Sequence, residues 1–402
     1  MRDKNSLVTR RRFLGSALGG SIGGYLLGTH SSRSSVAQAT STSPKTDWPQ
    51  YQFNGGNSGY NPQGTAPVRW FTRDWHKNVD GLSGAPAVSD QTVYAPVRLA
   101  TPGDEIPARH VLLALDATDG SVLWRAEMEG ESSVGVVDGT VYLADRRTRA
   151  LDSTDGTEQW SVQRGSYHPV VTDRFVYVTE GVEECLAINR QDGSVQWSAA
   201  FRATQIPAVD GETVYAGAED GTVRALTATA GERRWTNSLD DSNPDLAAAD
   251  GMAYAAAVEG FYALDGTSGD VQWTIPSQRT PDSSYRYNVS LPVLADGTVY
   301  VVVDGVLRAV TADSGTEQWR YDSPHEVPSV PPVRVGNAIY FVAAPNRVVA
   351  LHALTGNRLG AYTAPVDRLE SAVVPATGDL YVGGDAEQSQ QSGLFKICGQ
   401  PL

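Results

Sequence analysis

Hydrophobic positions in this chain fall in short alternating runs, and no apolar pattern keeps the helical period of about 3.6 residues long enough to build a helix. Thr213-Val214-Tyr215-Ala216 and Thr222-Val223-Arg224-Ala225-Leu226 put every second side chain on one face, as half-buried strands do. Asp220-Gly221 stands between them, a strong short hairpin signal. Similar pairs, joined by Asp-Gly or Asn-containing turns, follow one another along most of the sequence.

Each pair leads into a recurring stretch. Ala150 to Trp160 reads ALDSTDGTEQW, and variants run from Ala114 to Trp124, Ala187 to Trp197, Ala225 to Trp235, Ala263 to Trp273 and Ala309 to Trp319. A further copy, Ala350 to Gly360, keeps the Ala and the Gly but has Gly360 in place of the Trp. In the intact copies the Gly lies four residues before the Trp, and successive Trp spacings are 36, 37, 38, 38 and 46. A period in this range marks a repeat architecture. Four short strands per repeat, arranged radially, make a β-propeller. The small Ala lets the next sheet pack over it, the Gly permits a left-handed turn, and the Trp supplies an apolar face between blades. Trp124, Trp160, Trp197, Trp235, Trp273 and Trp319 are therefore assigned to blade docking.

Eight innermost strands announce themselves by small or Pro-containing starts, among them Gly84-Ala85-Pro86, His168-Pro169, Ile206-Pro207, Leu291-Pro292 and Val330-Pro331-Pro332. The last repeat lacks a fourth strand. Pro67-Val68-Arg69-Trp70-Phe71 resembles one, so pairing with Leu394 to Ile397 is expected to close the ring, with Trp70 as a further docking residue. Closure removes the open sheet edges that invite aggregation. The expected fold is an all-β, eight-bladed propeller of four-stranded antiparallel blades over residues 68–402. Residues 40–67 form a linker and an N-terminal arm, with Trp48 to Asn61 packed as that arm.

Residues 1–39 read as an export signal. Arg10 and Arg11 form a twin-arginine pair, Phe13 to Gly28 is weakly apolar, and Ala37-Gln38-Ala39 offers a cleavage site. That segment carries six basic residues and one acid, so its removal takes the formal charge from −14 to −19. Only Lys45, Lys77 and Lys396 remain as lysines. So acidic a surface suits high salt and argues against nucleic acid or anionic lipid as a partner. The expected setting is extracellular or the cell surface, with a membrane touched only through an uncleaved signal segment. Cys185 and Cys398 fall in repeats that are not neighbours, so two buried free thiols are expected.

Asp116, Asp119, Asp152 and Asp155 are assigned to turn capping, since no loop has the D-x-D-x-D-G spacing of a calcium site. The sequence contains no nucleophile motif, P-loop, GxGxxG or CxxC. Propeller ligands sit over the channel, reached by the loops that lead into the innermost strands. Candidate recognition residues on those loops are Tyr167 and His168, Tyr285, Arg286 and Tyr287, His325 and Glu326, and Arg368. The Trp273 to Trp319 interval is longer than those before it, and the extra residues bring the Tyr285-Arg286-Tyr287 group, a composition enriched at binding hot spots. Asn288-Val289-Ser290 is an N-glycosylation sequon.

The A-x-D-x-x-x-G-x-x-x-W repeat resembles the tryptophan-docking repeat of the pyrroloquinoline quinone (PQQ) propeller family, over about residues 85–400. Asp47-Trp48-Pro49-Gln50-Tyr51 through Asn61 is similar to the start of exported propellers from salt-loving archaea. The resemblance implies one of two functions. Quinoprotein dehydrogenases bind PQQ with a metal ion in the axial funnel, and compact branches such as BamB bind other proteins without catalysis. This chain lacks the adjacent-cysteine pair and most of the long insertions of the dehydrogenases, and no metal-ligand set carries over. The expected function is therefore an exported, monomeric binding or scaffolding module for a protein or envelope component, with no cofactor. A PQQ- and calcium-dependent dehydrogenase is the alternative.

Overall fold

The docking stretch dictates how neighbouring sheets meet. In the computed structural model, which describes residues 47–99, 109–165, 167–180, 184–203, 206–239, 241, 244–278, 289–324, 330–369, 373–385 and 391–402, eight sheets follow one another around a ring. Their innermost strands are Ala87–Ser89, Val134–Val137, Val170–Val171, Ala208–Asp210, Asp245–Ala249, Val293–Ala295, Val333–Val335 and Val374–Ala376, which define blades 1 to 8. Blade 2 shows the plan: Val134–Val137, Thr140–Ala144, Thr148–Asp152 and Glu158–Val162, each antiparallel to the next. The buried clusters lie between blades rather than at one centre. Val170, Tyr177 and Ala187 of blade 3 pack with Val214 and Leu226 of blade 4, and Tyr300 and Leu307 of blade 6 pack with Ile339 and Phe341 of blade 7. This division lets a chain of this length escape the usual size limit of a single core.

The repeat residues do what their chemistry requires. Ala150 is fully buried opposite Trp160 of its own blade, and the register shifts immediately after it. Each Trp then crosses to the next blade. The Nε1–H groups of Trp124, Trp160, Trp197, Trp235, Trp273 and Trp319 donate to the carbonyls of Ser153, Arg190, Ala228, Gly266, Ala312 and Ala353 at 2.9–3.0 Å. Each ring lies under the turn glycine three residues past its acceptor. Gly269 has φ +81°, and a Cβ there would stand 2.5 Å from the Trp235 ring. Gly269→Ala is therefore expected to cost about 1–2 kcal/mol in backbone strain alone. A thermal melt that leaves this variant level with the wild type would refute the stacking role. The turn aspartates cap as expected: Asp116, Asp119, Asp152 and Asp155 accept the amides of Thr118, Ser121, Thr154 and Thr157 at 2.7–2.9 Å.

The closing strand differs from the sequence expectation in register. It is Arg69–Asn78, paired with Gly393–Gln400, and Leu394 to Ile397 face Arg73 to Lys77 rather than Pro67 to Phe71. Trp70 is not a docking residue. It sits at a bulge with φ 54° and is 78% exposed. Trp75 docks instead, its Nε1–H on the Ala117 carbonyl at 3.1 Å and its ring 2.9 Å from the Cβ position of Gly120. The bulges carry the strand past Trp70 before it meets blade 1.

The missing Trp at Gly360 has a geometric cause. Blade 8 takes its third and fourth strands from opposite ends of the described chain, so no third-to-fourth turn faces blade 7. The Val68 carbonyl and Phe71 fill that place, 2.1 Å and 2.8 Å from where a Gly360 Cβ would stand. Tyr340 shows the same gap. Tyr94, Tyr142, Tyr177 and Tyr215 point their hydroxyls at the next blade's turn carbonyl at 3.2–3.5 Å, whereas the buried Tyr340 hydroxyl has no partner.

The packed arm runs along the inside of the ring. The amides at one register position of the innermost strands all point to the channel. Val88, Val136, Val209, Ala248, Leu294 and Arg334 donate to the carbonyls of Trp48, Pro49, Gly55, Gly56, Ser58 and Gly59 at 2.7–2.9 Å. Val171 donates to the Gln50 side chain at 2.9 Å, and Gln50 Nε2 returns a bond to the Val171 carbonyl at 3.0 Å. The eighth position is Pro375, which has no N–H to satisfy. The arm thus visits blades 1 to 7 in order and seals their inner edges.

Candidate functional site

The loops that lead into the innermost strands build one cleft at the channel mouth. It holds about 250 Å³ and is lined by Leu82, Ser83 and Gly84 before blade 1, Glu131, Ser132 and Ser133 before blade 2, Tyr167 and His168 before blade 3, and Arg368 before blade 8. Three of the residues singled out from sequence, Tyr167, His168 and Arg368, meet here. Tyr285, Arg286, Tyr287, His325, Glu326 and the Asn288 sequon lie outside the described residues, as do Arg10, Arg11 and the whole of 1–46.

Tyr167 is 43% exposed and holds a left-handed backbone, φ 48°, an uncommon conformation for a bulky residue. Its carbonyl accepts the Ser133 amide at 2.7 Å, which ties the loop before blade 3 to the start of blade 2. Ser133 Oγ accepts the Ala85 amide at 2.9 Å and lies 2.8 Å from His168 Nδ1. Ser133 itself is 1% exposed, so this Ser–His pair braces the mouth and presents no nucleophile. Glu131 and Arg368 are both exposed.

The arm reaches the cleft's lining at His168. Tyr51 packs on His168 with ring centroids 4.9 Å apart. Asp245, at the same register of blade 5 as His168 in blade 3, approaches the Tyr51 hydroxyl closely enough to raise its pKa, after burial itself. Burial pushes the Asp245 carboxyl up to about 7 and the His168 imidazole down to about 4. Sequence reading missed Glu131, Tyr51 and Asp245. The one available signal for Asp245 was an acid where blades 1, 4 and 6 carry Ala85, Ile206 and Leu291.

These two groups act oppositely on stability. Asp245 favours its neutral form in the fold, so its contribution is full below about pH 4 and is lost as pH rises through 7. His168 favours its neutral form too, so its contribution is full above about 6.5 and is lost as pH falls through 4. Asp245→Asn should therefore melt at rising temperature from pH 4 to 6.5, and His168→Gln at falling temperature from pH 4 to 7. Parallel profiles for the two variants would contradict the assignment.

The cysteines are free. Cys185 is buried, which pushes its thiol up to about 12. Cys398 is only partly buried, against the expectation of two buried thiols, because it lies on the outward stretch of the strand paired with Thr72. Among the described residues, no three His, Cys, Asp or Glu side chains gather where a metal ion could be held.

Known proteins resemble this chain at the level of the repeat. Serine/threonine-protein kinase AfsK of Streptomyces griseus is 37% identical over 144 residues, covering 30% of this chain and 18% of the kinase. The chain therefore spans less than a fifth of that relative. Outer membrane protein assembly factor BamB of Yersinia pestis is 28% identical over 279 residues, 62% of this chain and 70% of that protein. Among solved structures, quinohemoprotein alcohol dehydrogenase from Comamonas testosteroni superposes with a TM-score of 0.68 over 88% of this chain and 80% of the enzyme, at 14% identity, a likeness of fold alone. Residues 65–171, 163–254 and 237–391 match the family described as outer membrane protein assembly factor BamB, and the chain belongs to that family.

Proposed function

We propose that this chain is an exported, non-catalytic propeller that binds or scaffolds a protein or envelope component at the cell surface, and that recognition occurs at the channel mouth. The observation that carries the reading is the cleft itself. Loops of four blades bring an aromatic ring in a strained backbone, an exposed guanidinium and an exposed carboxylate to one opening, a combination suited to a polar partner surface. Export by the twin-arginine pair would deliver the ring already folded.

The dehydrogenase alternative asks for a cofactor and a metal in the axial funnel, and the described residues weigh against both. The arm lines the inner edges of blades 1 to 7, the described side chains gather no metal donor set, and Cys185 and Cys398 stand in blades 3 and 8. Titration with PQQ and calcium at high salt tests this directly. Stoichiometric binding with dye reduction by an alcohol would overturn the binding-module reading. For the mouth, a photo-crosslinker in place of Tyr167 should capture an envelope partner that one in place of Leu354, 64% exposed on an outer turn, does not. Arg368→Ala should weaken that capture without shifting the melting temperature. Equal capture from both positions would remove the mouth from consideration.

A further inference from the structure

The arm is held by the ring in the way a receptor holds a peptide. Its seven amide donors come from seven blades, while its own backbone forms only the two-residue strand Tyr60–Asn61. The contacts are sequence-selective as well. Trp48 is 1% exposed and exchanges two backbone bonds with Val88 at 2.9 Å. Gln50 substitutes its side-chain amide for a peptide unit at blade 3. Asn57 Nδ2 donates to Pro207 O of blade 4 and Leu246 O of blade 5, both at 2.9 Å. Gly56 is required because a Cβ would stand 2.3 Å from the Ala248 carbonyl.

Other features set the arm apart from a settled core element. Gln52, Phe53 and Asn57 have φ of 51°, 75° and 53°, an unusual density of left-handed non-glycine residues. The buried Asp47 Oδ1 also has no hydrogen-bond partner. The arm is joined to the closing strand through Pro62 and Gln63, both exposed.

We infer that the inner edge of the ring is a binding site for a peptide with the spacing Trp-Pro-Gln…Gly-Gly-Asn-Ser-Gly-Tyr, looped between its contacts through the turns at Gln50 to Asn57 and occupied in cis by this chain's own arm. The ring supplies the amide donors, which anchor any backbone. The Trp48, Gln50 and Asn57 positions supply selectivity, as alternate pockets do when a strand is added to an open sheet edge. A foreign chain of the same spacing competes with the arm for these donors, so it binds only where the arm has been displaced.

The test uses the full chain with a protease site inserted between Pro62 and Gln63, cut after folding. Two labelled peptides of residues 47–62 are then offered, one native and one carrying Asn57→Ala. The inference expects the cut N-terminal fragment to co-elute with the ring, the native peptide to replace it over time, and the Asn57→Ala peptide to replace it at least tenfold less. Release of the fragment on cutting would overturn the inference, as would unfolding of the ring. So would a fragment that stays but never exchanges, which would make the arm a fixed strap. Equal uptake of both peptides would remove the selectivity. An uncut control that takes up neither peptide verifies that the site is filled in cis.

Discussion

Trp75→Ala is expected to destabilise the protein by about 3 kcal/mol, and Trp70→Ala by no more than about 0.5 kcal/mol, although the two tryptophans lie on the same strand. Trp75 joins blade 8 to blade 1. Its ring packs on the Gly120 turn, its N–H reaches the Ala117 carbonyl at 3.1 Å, and Tyr381 lies 6.0 Å away between centroids. Truncation removes the apolar face and leaves a void that the flanking turns cannot fill, so the loss sits at the lower end of the range for buried aromatics. Trp70 is 78% exposed and loses little when cut back. Its left-handed backbone adds a second comparison. Trp70→Gly should be neutral or stabilising by up to about 1 kcal/mol, since glycine pays no Cβ penalty there. Chemical unfolding of the three variants at one salt concentration reads the contrast. Equal losses at positions 70 and 75 would put the ring closure in the wrong register.

Asn57→Ala should cost about 3 kcal/mol from a single exposed-looking polar residue of the N-terminal arm. Asn57 is 1% exposed, and its amide bridges the carbonyls of blades 4 and 5 from inside the channel. Alanine removes both bonds and is itself poorly suited to φ 53°. Asn57→Gly should recover about 1 kcal/mol of that loss, because only the bonds are missing. Asn57→Asp should be the worst of the three, since a carboxylate would face two carbonyl oxygens away from water. Limited proteolysis near Gln63, together with the unfolding midpoint, reports whether the arm has come loose. An alanine variant with a wild-type midpoint would mean that the arm contributes nothing to the ring.

Much of the fold was legible because the repeat is built from local rules. The Gly that takes the left-handed turn and the Trp that crosses to the next blade stand four residues apart in every intact copy, so spacing located the turns, and the small or Pro-containing starts of the innermost strands gave the blade count. The turn aspartates were legible for the same reason, each bonding an amide two residues on. Register at the closing strand was not legible. Pro67 to Phe71 carries a Trp in a strand-like context, and only the bulges between Arg69 and Trp75 show which ring faces blade 1. The candidate site was legible in part. Loop position singled out Tyr167, His168 and Arg368. Glu131 gave no sign, because an exposed carboxylate on a polar loop looks the same whether or not a cleft opens beside it.

The sequence by itself determined the all-β class, the eight blades and the chemistry of the docking turns, since each depends on residues a few positions apart. The tertiary structure alone decided two things. One is why Gly360 replaces a Trp: the turn it would cover is missing where strands from distant parts of the chain share a blade. The other is the path of the arm, whose bonds to Val88 through Arg334 span seven blades. Those partners are separated by most of the chain, and they line one channel only once the ring has closed.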